Sequence, residues 1–390
     1  MSTTLNDAIG LGWRRSDGRI GLRNHVIAFS TVALTDRVTT LAAEQVPGVL
    51  PLTPAFQRGL RGIDATLQHD MINAIIAHPN VGAALVVTHD GASADQLRRF
   101  CAELGKPIVI VALMAQQGMQ AACETMAAHL RSLLAEAAEQ SKSKFLLPDL
   151  TVALECGGSD ATSALCANPA IGRFVDRLID AGGTAIVSET AEFLGGEDIV
   201  LAQSRTPQVA DAILAYLSAE DAIMTSDGTD YRGVNPTQEN IEAGLSTLTE
   251  KTMGALCKIG TSRFAGALNF GEEPTGKGLF FMNTPFFSPT SLTGMVLGGA
   301  QVSLFAMGVF NPSGLPLAPT IKICGNPKTL SDWPDAIDLD VSGVISGRMN
   351  YGAAADDILR IVRDISNGQV TCAERFQEGQ IILPITQSPL

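Results

Sequence analysis

The chain has 390 residues, 46% of them hydrophobic and 17% charged, so it is long enough for two packed domains and too apolar to be disordered. Forty Asp and Glu face 27 Lys and Arg, a formal charge of −13, which argues against nucleic acid or an anionic membrane as partner and obliges an anionic substrate to meet local positive charge. Seven cysteines are scattered without a C-x-x-C pair, no basic-then-apolar leader opens the chain, and the longest apolar run, 108–115, is far short of the ~20 residues that cross a bilayer. The expectation is a soluble, cytoplasmic protein with reduced thiols.

In chain order, a basic, glycine-punctuated stretch at 12–24 reads as a loop and leads into a strand at 26–29. Helix is expected over 35–44, a short strand over 48–52 and helix over 63–77, where Leu67, Met71 and Ile75 keep helical spacing. The near-continuous apolar run 81–88 predicts a buried strand, followed by helix over 93–104, strand over 108–113 and a long helix over 118–139. Alternating strand and helix predicts an α/β fold with mostly parallel sheets. A charged, strand-poor stretch at 136–144 then marks a boundary, giving an α/β domain over 1–147 and a second over 148–390.

The second domain opens on an apolar run (Leu150, Val152, Leu154) that predicts a strand, then Cys156-Gly-Gly-Ser-Asp160. Asn168-Pro169 starts a helix carrying Ile171, Phe174, Val175, Leu178 and Ile179 at helical spacing; Gly182-Gly183 stops it, and Thr184-Ala-Ile-Val-Ser188 is the next strand. In such a βαβ unit the loops at the carboxyl ends of adjacent parallel strands form a ligand site, which would set Cys156-Gly-Gly-Ser-Asp160 beside Ser188-Glu-Thr-Ala-Glu192. The bland alternative is a tight turn at Gly157-Gly158 with Ser159 and Asp160 as local caps. Further on, helices are expected at 208–219 and 240–257, strands at 278–282, 300–306, 320–323 and 337–341, and a closing helix at 352–366. Glycine- and proline-rich loops are expected at 226–236, 270–277, 283–295 and 308–319, long enough to suggest function.

These motifs resemble the altronate and galactarate dehydratases, whose large region is shared with the catalytic subunit of (R)-sulfolactate sulfo-lyase. The resemblance is carried by Gly18-Arg-Ile-Gly-Leu-Arg-Asn24, Cys156-Gly-Gly-Ser-Asp160 with Asn168-Pro-Ala170, Ser188-Glu-Thr-Ala-Glu192 with Glu197, Thr249-Glu-Lys-Thr-Met-Gly254 and Pro319-Thr-Ile-Lys-Ile-Cys-Gly-Asn326. It runs through nearly the whole chain in order. It implies a lyase that performs β-elimination on a small 2-hydroxy acid, either dehydrating a sugar acid to a 2-keto-3-deoxy acid or releasing sulfite from sulfolactate. It further implies a divalent metal, iron(II), and a small SAF-type domain that is expected to come from a separate partner chain rather than from this one. Two departures stand out. No cysteine occurs where the family's first-half cysteines fall, at Ser30-Thr-Val-Ala-Leu-Thr35, Thr53-Pro-Ala-Phe-Gln-Arg-Gly59 and Thr88-His-Asp-Gly91, and Glu242-Ala-Gly-Leu-Ser-Thr247 replaces a double glycine.

Elimination requires a base for a carbon-bound proton and positive charge where the enediolate forms. The expected catalytic set is Lys251, Glu189, Asp160, Ser159 and His89; Arg23, Asn24, Gly157, Gly158, Asn168, Lys258 and Lys322 would bind substrate; Glu192, Glu197 and Cys156 would hold metal. Lys251 and Lys258, seven residues apart, are expected on one helix face, each with the alternative of a solvated lysine, and Lys251 either answers a carboxylate or serves as a base. Glu189 and Glu192 would share a face if their segment is helical. Lys322, between Ile321 and Ile323 in a strand, requires a partner. A homo-oligomer is expected from the apolar, glycine-rich second half. Two other readings stay open: an anion-binding α/β module using Gly157-Gly158 at a helix amino terminus, against which stands the absence of a G-x-G-x-x-G or P-loop pattern, and a paralogue that keeps the fold without the chemistry.

Overall fold

In the computed structural model, which describes residues 9–231 and 235–390, the chain divides into two compact units. The first residues of the expected amino-terminal domain and the middle of the expected loop at 226–236 fall outside the described residues.

The smaller unit comprises Leu11–Lys144 and Gln380–Leu390. Strand β1 (Gly10–Arg14) turns into β2 (Ile20–Gly21) as an antiparallel pair, so the expected loop over 12–24 is in fact a hairpin. There follow β3 (His25–Ser30), α1 (Asp36–Glu44), β4 (Val49–Leu52), α2 (Gly62–Ala77), β5 (Val81–Thr88), α3 (Gly91–Cys101), β6 (Ile108–Ala112) and α4 (Met119–Ala138). The four long strands form a parallel sheet in the order β4-β3-β5-β6. All eight residues of β5 are buried, as expected for a parallel strand covered on both faces. One face, carrying Val26, Ala28, Ala83, Leu85 and Val87, packs against Val38 and Ala42 of α1 and Met126, Ala127 and Leu130 of α4.

The larger unit spans Phe145–Gly379 together with the residues up to Gly10. After a short β7 (Ser143–Phe145) come β8 (Thr151–Cys156), α5 (Asn168–Asp180), β9 (Thr184–Val187), α6 (Glu197–Gln203), α7 (Pro207–Ile223), α8 (Gln238–Glu242), α9 (Leu248–Leu256), β10 (Phe264–Leu268) and β11 (Gly278–Met282). The remainder is α10 (Ser288–Leu297), β12 (Val302–Met307), β13 (Thr320–Cys324), α11 (Pro327–Asp332), β14 (Leu339–Asp340), α12 (Tyr351–Ser366) and α13 (Cys372–Arg375). Seven strands pair in parallel in the order β10-β11-β9-β8-β12-β13-β14. The chain moves from β8 outward through β9, then returns to place β12 on the other side of β8. That reversal opens a crevice at the carboxyl end of β8, where α/β sheets hold their ligands.

Two expectations here require correction. The stretch 283–295 is not a loop: α10 begins at Ser288, with a half-buried Pro289 at its first turn, and the other nine of its ten residues are buried. A helix buried on all sides carries no amphipathic stripe, so periodicity does not reveal it. The single helix expected over 240–257 is two, α8 and α9, because Gly244 adopts φ +100° and Thr247 caps a new start by accepting from Glu250 N. Strand β10 was not foreseen.

The expected second domain ran to residue 390, yet Gln380–Leu390 belongs to the smaller unit. The buried carboxylate of Asp64, in the first turn of α2, accepts from Thr386 N at 3.1 Å, Thr386 Oγ1 at 3.0 Å and Gln387 N at 2.8 Å, and Leu390 N donates to Gly59 O at 3.0 Å. Hydrogen bonds to a buried charge each contribute about 1.5–3 kcal/mol. The Asp64→Ala variant should therefore lose roughly 2–3 kcal/mol in denaturant melts and release the tail to carboxypeptidase, whereas the wild-type tail resists digestion.

Candidate active site

Strand β8 places a carboxylate where its neighbours are apolar. Glu155 is 1% exposed and stands in register with Phe305 of β12, which in turn pairs with Lys322 of β13, so these three project from one face of the sheet. One Glu155 oxygen accepts from Ser291 of α10, whose hydroxyl also pairs with Ser188. No hydroxyl or amide donates to its other oxygen, and the Glu189 carboxyl lies within hydrogen-bonding range. Burial, joined by the charge of Glu192, raises the Glu155 carboxyl to about 7 against the pull of Lys258 and the hydrogen bonds with Ser291 and Glu189.

Past the end of β9 the chain turns sharply. Glu189 adopts φ +65°, a left-handed conformation costly for a residue with a Cβ, and is held there by its N–H donating to Thr284 Oγ1 at 2.9 Å. The next turn, Thr190–Phe193, is a 3₁₀ helix tied to the loop after β11 by Thr190 N to Thr284 O at 3.2 Å. The result aims Glu189 and Glu192 into the interior, both buried. Burial, followed by the charges of Glu155 and Glu192, lifts the Glu189 carboxyl well above its ordinary range.

Helix α9 ends at Leu256, so Lys251 lies on it and Lys258 on the 3₁₀ turn Cys257–Ile259. They do not share a helix face as expected, but they meet at one carboxylate. Lys258 Nζ lies 2.6 Å from Glu192 Oε2 and Lys251 Nζ 3.6 Å from Glu192 Oε1. Lys258 is fully buried, which rules out the solvated alternative. Desolvation works against its charge, yet the neighbouring carboxyls, Glu192 foremost, outweigh it and hold the ammonium protonated. Lys251 also donates to Asn235 Oδ1 at 2.9 Å and sits 4.1 Å over the Phe286 ring.

These groups border a cavity of about 380 Å³ lined by Cys156, Gly157, Gly158, Glu189, Lys251, Ser288 and the loop 309–312, with Phe286, Phe287, Thr237, Glu239 and Asn240 completing its wall. Gly157 and Gly158 make the wall close. A Cβ on Gly157 would lie 2.6 Å from Phe305, and one on Gly158, at φ +64°, 2.1 Å from Val309 O. Gly158 O accepts from Gly308 N and Val309 N, joining the loops after β8 and β12.

Other expected site residues hold this scaffold rather than face the cavity. Asp160 accepts from Ser163 N at 2.8 Å, Thr162 Oγ1 at 2.7 Å and Asn326 Nδ2 at 2.7 Å, fastening the loop to the end of β13. Ser159 Oγ meets Cys156 Sγ at 3.3 Å, its carbonyl accepts from Asn240, and Asn168 donates to Cys156 Sγ at 3.4 Å. Lys322 finds its partner in Glu378 and lies behind the Phe310 ring, outside the cavity lining. Arg23, Asn24 and His89 belong to the other unit and do not converge even there. Arg23 and Asn24 precede the amino end of β3, where Asn24 donates to Ala137 O, while His89 follows the carboxyl end of the parallel strand β5 and meets Arg58 at 3.3 Å. His89 lines a hollow of about 220 Å³ with Thr31, Val32, Gln57 and Arg58.

The residues expected to hold a divalent metal do not fit one. Both oxygens of Glu192 face ammoniums, which occupy the positions a cation would take. Glu197 caps its own turn by accepting from Gly195 N and lines a separate hollow with Leu214 and Thr249. Burial keeps the Cys156 thiol above its ordinary range, hence protonated. Sequence reasoning overlooked Glu155, Ser291, Asn235 and Phe286. A signal for Glu155 existed, the same one that singled out Lys322: a charge inside an apolar strand.

Residues 147–388 match the family described as D-galactarate/altronate dehydratase, C-terminal, and residues 12–138 match D-galactarate dehydratase/altronate hydrolase, second domain. The chain is 32% identical to the (2R)-sulfolactate sulfo-lyase subunit beta of Chromohalobacter salexigens over 96% of both chains. It is 27% identical to the altronate dehydratase of Escherichia coli and 26% identical to that of Bacillus subtilis, in each case over 93% of this chain and 75% of the relative.

The Glu192 cluster yields a stability test. Lys258→Met leaves a buried carboxylate without its nearest cation and should cost about 3–5 kcal/mol, whereas adding Glu192→Leu should recover most of it, because a buried pair replaced whole by apolar groups is close to neutral. Denaturant melts of the single and double variants measure the difference; equal losses in both would mean the pair does not act as a unit.

Proposed function

Because the chain belongs to the D-galactarate/altronate dehydratase family, and members bear the names of dehydratases and a sulfo-lyase, we propose that it carries out β-elimination on a small 2-hydroxy acid, dehydrating a sugar acid to a 2-keto-3-deoxy acid. The observation that carries this reading is the pairing of Glu189 and Lys251 across one cavity, where Lys251 is the sole cation among the described lining residues. Its ammonium, with the unpartnered Nδ2 of the adjacent Asn235, offers a seat for the substrate carboxylate and answers the second negative charge of the enediolate. Glu189 takes the proton from C2. The C–H electron pair passes into the carboxylate as the enediolate and then forms the C2–C3 double bond as the bond from C3 to its leaving group breaks, and the enol formed tautomerises to the keto acid. The proton on Glu189 then returns to the departing hydroxide as water. Iron(II), implied by the family resemblance, enters no step, since the residues expected to hold it do not fit.

A second reading, loss of sulfite from sulfolactate, is favoured by one observation: similarity to the sulfo-lyase subunit extends over 96% of both chains, whereas the altronate dehydratases extend beyond it. The same proton abstraction serves both, with sulfite leaving in place of hydroxide. That relative's name as a subunit supports a second chain as partner here, and the resemblance implies that it is small.

Turnover should therefore be measured with altronate, galactarate and (R)-sulfolactate, with and without a small partner chain, reading keto acid and sulfite. Glu189→Gln should lower kcat by about 10²–10⁴-fold, the range for loss of a positioned base. Lys251→Met should lower kcat/KM by about 100-fold, as loss of one charge-stabilising donor does. Elimination from none of these acids, or variants as active as wild type, would sink this reading.

A further inference from the structure

The base assigned above is backed by a second carboxyl outside the cavity. Glu155 and Glu189 lie within hydrogen-bonding range, in an interior from which both are all but excluded from water. Two carboxylates cannot share a hydrogen bond unless one keeps a proton, and like charges so close do not both ionise. Charge counting points the same way. Three buried carboxyls (Glu155, Glu189, Glu192) face two ammoniums (Lys251, Lys258), so one retained proton makes the cluster neutral. The two carboxyls are also differently placed: Glu189 lines the cavity, whereas Glu155 does not and is held from behind by the Ser291 hydroxyl and its partner Ser188.

We propose that Glu155 is a positioning residue that shares one proton with Glu189, so that the pair works as a single acid–base unit whose one-proton form is the active one. This rests on the elimination reading above. When the shared proton sits on Glu155, Glu155 donates to Glu189, whose carboxylate is aimed into the cavity. Glu189 accepts the C2 proton, giving a pair with two protons, and passes one to the leaving hydroxide, restoring the one-proton form; no oxidant or further reactant is needed. Loss of the last proton leaves two repelling carboxylates and a net negative cluster facing an anionic substrate.

The groups around the pair come from every element packed on it: Cys156 beside it on β8, Glu192 on the turn after β9, Lys251 on α9, Lys258 on the turn after it, and Ser288 and Ser291 on α10. Burial, the leading cause, raises both carboxyls, with Glu155 at about 7, so both titrations of the pair are displaced upward.

The test is the pH profile of kcat/KM for wild type, Glu155→Gln and Glu155→Leu. Gln mimics a permanently protonated Glu155. Glu155→Gln should keep the acid limb of the wild type and its plateau within ~10-fold, but lose the alkaline limb, because there is no last proton to lose. Glu155→Leu cannot donate and should lose ~100-fold in kcat with KM little changed. An alkaline limb that persists in Glu155→Gln would overturn the proposal. A second readout needs no turnover. In infrared difference spectra above the acid limb, the carbonyl stretch of a neutral buried carboxyl should be present in wild type and absent in Glu155→Gln; identical spectra would refute the shared proton. A wild type inert toward every hydroxy acid would instead sink the elimination reading, and the infrared result would still decide the pair.

Discussion

Everything at this site depends on one buried carboxylate, Glu192, neutralised by two ammoniums. An isolated carboxylate in an apolar interior is costly enough to protonate instead, and an isolated lysine to lose its proton. Together, with Lys258 on one oxygen and Lys251 near the other, they keep fixed charge beneath the carboxyl end of the sheet. The consequence is directional. Lys258 is consumed by this pairing and does not line the cavity, while Lys251 keeps the weaker contact and faces the open space. The same anchored positive charge stands near Glu155 and Glu189, two carboxyls that burial would otherwise drive fully neutral.

The backbone around this centre is shaped by close approach. β8 and β12 end at loops that touch through Gly158 and Val309, and Gly308 leaves room only for the Asp160 carboxylate, 1.9 Å from where a Cβ would stand. Asp160 in turn ties the loop after β8 to Asn326 at the end of β13. The loop after β9 is tied to that after β11 through Glu189, Thr190 and Thr284. Five strand ends, those of β8, β12 and β13 and those of β9 and β11, are thus fastened around the cavity, which places Glu189 with the precision that proton transfer demands. The left-handed backbone of Glu189 is the strain that this fastening over-determines.

Several of these features could be read from residues in order. The crevice followed from the apolar run into Cys156-Gly-Gly-Ser-Asp160 and the acidic end of the next strand, because adjacent parallel strands bring their carboxyl ends together. Lys322 was recognisable as a charge in need of a partner, and Glu155 offered the same cue. Other residues gave none. Nothing local distinguishes Glu192, at the centre of the cluster, from Glu197, five positions on, which caps its own turn. Nor does spacing tell that Lys258, on a turn beyond the helix, is the more deeply buried of the two lysines.

Sequence by itself therefore determined the α/β class, the parallel strands, the crevice and the family, since these follow from periodicity, glycine punctuation and motif, all properties of neighbouring residues. Tertiary structure alone decided which charges meet. The Glu192–Lys251–Lys258 cluster joins residues up to 66 positions apart, and Ser291 reaches Glu155 across 136. It also revealed α10 beneath the site, buried on every side. The physical reason is common to all of these: desolvation and Coulomb energy depend on the three-dimensional surroundings of a group, which no local pattern encodes.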